Sequence, residues 1–450
     1  MRRLGYRVID RIVEHLERLD ELPPVRVGEA AALREALGGP PPEAPGDPEA
    51  ALDALFEQVL PFGQLGHHPR FFARIGSPSN FVSVLADAAA AGVNVFSASW
   101  VGGSGAATVE LVVLEWLREL CGLPAGAEGV MLSGGSVASL VGLAAARTAR
   151  LGERAPPEAV AYVSDQGHAS IPRALRVLGF ASEQVRVVGT DAAYRMTADA
   201  VRAEVEADLA AGRRPFCVVA TAGSTSTGAV DQLTELAALA REHGLWLHVD
   251  GAYGAPGVLC PAGRAVLEGL ELADSLVLDP HKWLFQPYEI GCLLVREPGL
   301  LERTFALHGV YLRDTLGGEV NFRDRSVQLT RGGRALKLWM SIRVFGLAAF
   351  RDAVARGIEL AEHAERVLRS RPGWEVVTPA QLAVVCFRRA GDDALQSAIA
   401  EAMVAEGYAA PSTTELDGRV VLRLCTINPR TTFADVERTI ERMEAHGRTV

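Results

Sequence analysis

Lysine is nearly missing from this chain: of its 45 lysines and arginines, only Lys282 and Lys337 are lysines. Any chemistry that needs a side-chain amine therefore has two candidates. Aromatic residues are sparse at 6%, and no apolar run approaches the ~20 residues of a membrane span, so no membrane partner is expected. Cysteine occurs at six scattered positions (121, 217, 260, 292, 386 and 425) with no C-x-x-C pair. That usage excludes a disulfide scaffold, gives no metal site, and fits the reduced thiols of a cytoplasmic protein. A basic surplus is lacking too, since 55 acidic and 45 basic side chains leave a formal charge of −10. Nucleic acid and anionic membranes are thereby disfavoured as main partners. Residues 1–15 carry charges every few positions and no apolar core, so they are no secretory signal.

What is present suits a globular enzyme: 49% hydrophobic and 22% charged residues over 450 positions, enough for about two or three domains. Leu4, Val8, Ile12, Val13, Leu16 and Leu19 form an apolar stripe at helical spacing. After a proline-rich stretch, Asp47-Pro48 reads as N-cap and first residue of a second helix bearing Leu52, Leu55, Phe56 and Leu60. Two helices ahead of any sheet cannot bury such stripes alone. Residues 1–75 are therefore expected to pack on the body or, preferably, on a second subunit.

From residue 76 to 335, β-rich runs at 129–132, 159–164, 184–188, 216–220, 245–250, 275–279 and 291–295 alternate with helical stretches. Continuous apolar runs joined by helices predict an α/β domain with a mostly parallel sheet covered on both faces. Residues 336–450 read as a smaller α+β domain, with a helix near 334–350 and strands around 384–387 and 420–425.

Ligands of such sheets sit beyond the carboxyl ends of the strands. Ser133-Gly-Gly-Ser136 follows one strand and opens a helix, a turn that suits a phosphate. The same stretch, Gly134-Gly-Ser136-Val-Ala138, also matches the nucleophile elbow of a serine hydrolase, with Ser136 as nucleophile. His168 follows the next strand, placed for ring stacking or acid–base work. Asp250 ends a buried strand, where a carboxylate needs a cation or strong donor, such as a protonated heteroaromatic nitrogen. Ala252, two residues on, leaves room for a flat ring. Lys282, between His281 and Trp283 just past another buried strand, is the leading Schiff-base amine. Lys337 falls in a helical pattern and reads as a charge on an exposed face. A phosphate cradle, an anion for a ring nitrogen, a stacking histidine and an amine together describe a pyridoxal 5'-phosphate site.

The motifs Arg2-Arg-Leu-Gly-Tyr6, His68-Pro-Arg-Phe-Phe72, Ser164-Asp-Gln-Gly-His168, His248-Val-Asp-Gly-Ala-Tyr253, Asp279-Pro-His-Lys-Trp283 and Arg334-Ala-Leu-Lys-Leu-Trp339 appear in order. With them the chain resembles the group II pyridoxal-phosphate-dependent amino acid decarboxylases, including the aromatic-L-amino-acid enzymes. That resemblance implies the aspartate-aminotransferase type of fold, called fold type I, and a homodimer with a shared active site. It also implies conversion of an L-amino acid, aromatic ones being one substrate class, to its amine. Lys282 would form the internal aldimine, Asp250 pair the pyridinium, His168 stack on the ring and Ala252 pack beneath it. Gly135, Ser136, Asp279 and His281 would surround the phosphate, with Thr225 nearby, and Ser77 would lie near cofactor and substrate carboxylate. Asp279 stands where animal aromatic enzymes carry Asn; beside phosphate it is expected to bond backbone or be protonated.

Other departures bear on substrate and product. Counting back from Arg331, Phe322 takes the place of a mobile-loop tyrosine that returns a proton to the product, and a phenyl ring cannot donate one. The resemblance then allows an oxygen-dependent aldehyde synthase instead. Arg74, Ile75 and Ala98 replace aromatic pocket residues; Arg74 would pair with an acidic substrate or, preferably, form a salt bridge at the subunit boundary. Trp100 and the Phe322 loop are expected to reach a neighbour's site. An aminotransferase on the same fold would use Arg423 for the substrate carboxylate, and a non-catalytic scaffold would tolerate loss of Lys282.

Overall fold

The computed structural model describes residues 1–307 and 319–449. The chain opens with α1 (Arg2–Glu17), β1 (Val25–Arg26), α2 (Ala30–Leu37), α3 (Pro48–Ala54) and β2 (Gly63–Gln64), the two strands pairing antiparallel. Asp47 caps α3 by accepting from Glu49 N at 3.0 Å, with Pro48 at the first helical position, as its sequence predicts. None of these three helices buries a residue.

Helices α4 (Phe81–Val93) and α5 (Trp100–Leu120) lead into the central sheet. Its strands are β3 (Glu128–Leu132), β4 (Ala159–Ser164), β5 (Val185–Val188), β6 (Arg214–Thr221), β7 (Trp246–Asp250), β8 (Ser275–Leu278) and β9 (Gly291–Val295). Their order is β3-β9-β8-β7-β6-β4-β5. The seven predicted runs are the seven strands. Five of them pair in parallel through β5-β4-β6-β7-β8, while β9 runs antiparallel to both its neighbours. The connecting helices are α6 (Gly135–Leu151), α7 (Ser170–Val177), α8 (Ala198–Ala210), α9 (Leu233–His243), α10 (Pro261–Val266) and α11 (Leu300–Phe305). Strands β3, β4, β7, β8 and β9 are buried along their whole length, which accounts for their unbroken apolar runs.

The long helix α12 (Ala335–Arg369) breaks at Gly346, whose φ of 73° favours glycine. It then runs on to β10 (Trp374–Gln381), β11 (Val384–Arg389), α13 (Asp393–Glu406), β12 (Ser412–Leu416), β13 (Arg419–Cys425) and α14 (Phe433–Thr449). The four strands form an antiparallel sheet ordered β10-β11-β13-β12. Its core gathers Phe387, Leu422, Ile440 and the second half of α12 through Leu360 and Leu368, whereas Leu338 and Val354 of α12 join the core of the large sheet. Phe72 also packs in the smaller core, and Cys425 N donates to its carbonyl at 3.0 Å. The chain just before the large sheet is thus stitched to the C-terminal sheet. Sequence spacing could not reveal that link.

Candidate active site

At the carboxyl ends of the parallel strands lies a cavity of about 320 Å³. Its wall includes Ser133 to Ser136, Gln166, His168, Thr225, Asp250, Ala252, Tyr253, Asp279, His281 and Lys282. Every predicted cofactor residue is present there. The four others assigned to the substrate or its loop, Ser77, Arg74, Trp100 and Phe322, are not in the wall.

β3 ends at Leu132, and α6 begins three residues later at Gly135. The first N–H groups of any helix lack intrahelical acceptors and carry the positive end of the dipole, so α6 points an anion seat at the cavity. Space dictates the glycines: a Cβ on Gly135 would stand 2.9 Å from Asp279 Oδ2 and 3.1 Å from the Ala252 methyl. Asp250, at the end of β7, accepts from Ala252 N at 3.1 Å and lies almost wholly buried. Burial pushes its carboxyl above the usual carboxylate range, against the pull of the Lys282 charge. A buried carboxylate with one backbone donor leaves room for a charged partner, which a ring N–H supplies.

Lys282 follows β8 and pairs with Asp279, Nζ to Oδ2 2.9 Å, within a turn closed by Lys282 N donating to Asp279 O. Burial alone would lower the Lys282 ammonium, but Asp279 and Asp250 outweigh it and hold it above its ordinary value. The other Asp279 oxygen, Oδ1, is buried without a partner. His281 is held low by burial; its Nδ1 accepts from Ile290 N at 3.3 Å, leaving the proton on Nε2. Ser77 donates to His281 O, so it braces the loop that carries the amine. His168 is exposed on the cavity rim, and its Nδ1 accepts from Ser170 N at 3.2 Å. That bond fixes the tautomer with Nε2–H free to meet a ligand.

Several sequence readings change here. Phe322 is 0% exposed within the main core, with the Arg331 guanidinium 5.1 Å from its ring centroid. The backbone N–H of the next residue, Arg323, donates to Ala98 O, and Phe322 packs inside its own chain. Lys337, expected on an exposed face, is 2% exposed and donates to Pro287 O and Glu289 O at 3.3 and 3.1 Å. Among the described residues Ser136 has no hydrogen bond to a histidine, so no hydrolase triad forms. Arg423 lies outside the cavity wall, tied to Ser226 O, Arg74 O and Ser412 Oγ. Exposed Arg74 shows no carboxylate partner among the described residues.

Two residues escaped the sequence. Tyr253 stacks on Trp283, centroids 5.4 Å apart, and lines the cavity, as its place after Ala252 in the same motif allowed one to suspect. Asp231 accepts from Thr221 N at 2.6 Å and Met196 N at 2.7 Å, fixing the end of β6 at the cavity floor. No spacing signal marked it.

A lysine, a ring-nitrogen partner and a glycine-lined helix start, all on one doubly covered α/β sheet, define a pyridoxal-phosphate enzyme of fold type I. A family model described as the pyridoxal-dependent decarboxylase conserved domain matches residues 36–390. The chain is 44% identical over 459 residues to aromatic-L-amino-acid decarboxylase of Bacillus atrophaeus, covering 99% of this chain and 95% of that one. It is 31% identical over 448 residues to phenylacetaldehyde synthase of Arabidopsis thaliana, covering 95% and 91%. The structure of Oryza sativa TDC with PLP and tryptamine superposes with a TM-score of 0.94 at 28% identity, covering 100% and 97%. The chain belongs to the pyridoxal-dependent decarboxylase family, and it is a pyridoxal-phosphate-dependent amino acid decarboxylase.

Proposed function

We propose that this enzyme decarboxylates an aromatic L-amino acid to its amine. The observation that carries this is the convergence of Lys282, Asp250 and the α6 start on one cavity, together with the 44% identity to an aromatic enzyme over nearly the whole chain. Bound pyridoxal phosphate supplies a carbonyl for amine capture and an electron-accepting ring. Lys282 Nζ provides the amine, and Asp250 keeps a proton on the ring nitrogen, where burial makes that charge pair strong. The α6 start, Ser136 and His281 would hold the phosphate with Thr225 near them, and Ala252 and His168, which line the same cavity, would contact the ring. The His168 Nε2–H would donate a hydrogen bond to the bound substrate or cofactor.

The aldehyde-synthase reading rested on Phe322, and that support falls with its burial. A tyrosine, Tyr311, stands earlier in the sequence, in the stretch 308–318 outside the described residues. Incubating cofactor-loaded enzyme with a panel of L-amino acids tests the reading, following carbon dioxide, oxygen uptake, amine and aldehyde. Amine without oxygen use supports it. Aldehyde with peroxide points to the synthase, and keto acid without carbon dioxide refutes both. If Tyr311→Phe shifts the product from amine to aldehyde, the proton donor lies there rather than at His168.

The chain further reads as a cytoplasmic homodimer of three segments, 1–75, 76–335 and 336–450. Its six cysteines are all buried and unpaired, which suits a reducing compartment. Helices α1 to α3 bury nothing within one copy, and Tyr6, Val93 and Val101 are 64%, 78% and 66% exposed. Trp100 lies next to exposed Val101 and outside its own cavity wall, which supports reading it as a residue that completes the partner's site. No helix among the described residues is long and apolar enough to cross a membrane.

A further inference from the structure

We propose that Leu382, at the tip of the turn between β10 and β11, is a positioning residue for the active site, fixing the place of the wall that carries Ala252 and Tyr253. The inference rests on the reading of this cavity as the cofactor site. Gln381 and Val384 pair across the turn, leaving Leu382 and Ala383 as its two central residues. Both have positive φ, 41° and 66°, where a two-residue turn ordinarily carries Asn-Gly, and both are buried. A conformation so disfavoured for side-chain-bearing residues persists only where the surroundings fix it. Although the two strands belong to the small sheet, Leu382, Ala383 and Val384 join the core of the large one.

The turn presses on glycines behind the cavity. The position of a Cβ on Gly254 lies 2.9 Å from Leu382 Cδ1, that of one on Gly257 lies 3.1 Å from Leu382 Cδ2, and one on Gly228 would strike Gln381 O. Thr426 N donates to Ala383 O at 2.9 Å, holding the turn from its own sheet. Gly254 follows Ala252 and Tyr253, which line the cavity. Tyr253 in turn stacks on Trp283, the neighbour of Lys282, with centroids 5.4 Å apart. The Tyr253 hydroxyl and Trp283 Nε1 are buried without a hydrogen-bond partner among the described residues. No polar bond from either side chain anchors the aromatic pair, so packing sets its place. Leu382 supplies that packing at Gly254, one residue from Tyr253. Groups that orient a reaction tolerate little displacement, so shortening Leu382 should be felt at the reacting atoms although it lines no part of the cavity.

The test compares cofactor-loaded Leu382→Ala, Leu382→Met and Leu368→Ala with the wild type. Leu368 is fully buried in the core of the small sheet, near the carboxyl end of α12, so its truncation removes the same atoms away from the wall. Both alanine variants should melt at lower temperature. Only Leu382→Ala should also lose kcat per folded molecule, by roughly tenfold to a hundredfold with KM unchanged, and alter the visible circular dichroism of the linked cofactor. Leu382→Met, of nearly the same volume, should restore both. Wild-type kcat and circular dichroism in folded Leu382→Ala overturn the proposal, and so does an equal loss of both in Leu368→Ala. Should Leu382→Ala not fold, Leu382→Cys, a milder truncation to a small apolar side chain, carries the same comparison. Failure of the wild type to bind pyridoxal phosphate would instead sink the reading of the cavity, and the proposal with it.

Discussion

Asp250 ends β7, Lys282 follows the neighbouring β8, and both face one cavity, yet different substitutions isolate their chemistry. Lys282→Arg keeps a cation beside Asp279 but removes the only kind of amine that can lose its proton and link to a carbonyl. Purified Lys282→Arg protein should show no turnover and no visible absorbance from linked cofactor, with a melting temperature near that of the wild type. Asp250→Asn preserves shape and an acceptor for Ala252 N while deleting the charge. Its kcat should fall by roughly 10²–10⁴, the scale of a lost proton-handling group, with cofactor still bound. Lys337 needs a different expectation from the one its helical pattern suggests. Lys337→Met strips two carbonyls, Pro287 O and Glu289 O, of their donor and should cost about 1–3 kcal/mol in a denaturant melt, with activity per folded molecule unchanged. At this scale the sequence was legible where a polar residue ends an apolar strand, as at His168, Asp250 and Lys282. It was opaque where burial comes from distant packing. Phe322 and Lys337 sit in polar-looking stretches, and only the core around Arg331 and the 287–289 loop closes over them.

Elements position these residues by their ends, so a joint between elements can be as sensitive as a side chain. The seven strands were legible because each is a short apolar run, but the antiparallel course of β9 was not, since a run buried on both faces carries no mark of direction. The docking of α1 is a further joint that spacing could not foretell. His15 on α1 and His67 beyond β2 bring their Nε2 atoms to 3.0 Å, which requires one ring to donate and the other to accept, so the two cannot both be protonated. Burial, with His15, Arg430 and His68 close by, lowers His67 to about 4, and burial lowers His15 as well. A group that binds protons more tightly unfolded than folded gives its full stability above its ordinary value of 6.5 and loses it as pH falls toward 4. Thermal melts should therefore drop between pH 7 and pH 5, and His67→Gln should flatten that dependence. An unchanged slope in the variant would remove His67 from the account and leave buried His68, also lowered to about 4, as the source.

The whole molecule exposes what one copy cannot bury: α1 to α3 with no buried residue, Val93 at the end of α4, and Val101 beside Trp100. A stable pair of copies needs roughly 1,200–2,000 Å² of buried surface, and the exposed apolar side chains on these elements can supply its centre. Light scattering should give twice the 47.9 kDa of one chain, and Val93→Asp should shift the mass toward one copy at micromolar concentration. Dimerisation alone does not prove a shared site, but two inactive variants can. Lys282→Ala lacks the amine, and Trp100→Ala lacks the ring expected to cross the interface. By symmetry, a mixed dimer that exchanges Trp100 holds one site with both defects and one with neither. Equal mixing after dissociation makes about half the dimers mixed, each with one intact site, so activity should recover to about a quarter of wild type. Mixed dimers that stay inactive would mean that Lys282 and Trp100 serve the same site from the same chain.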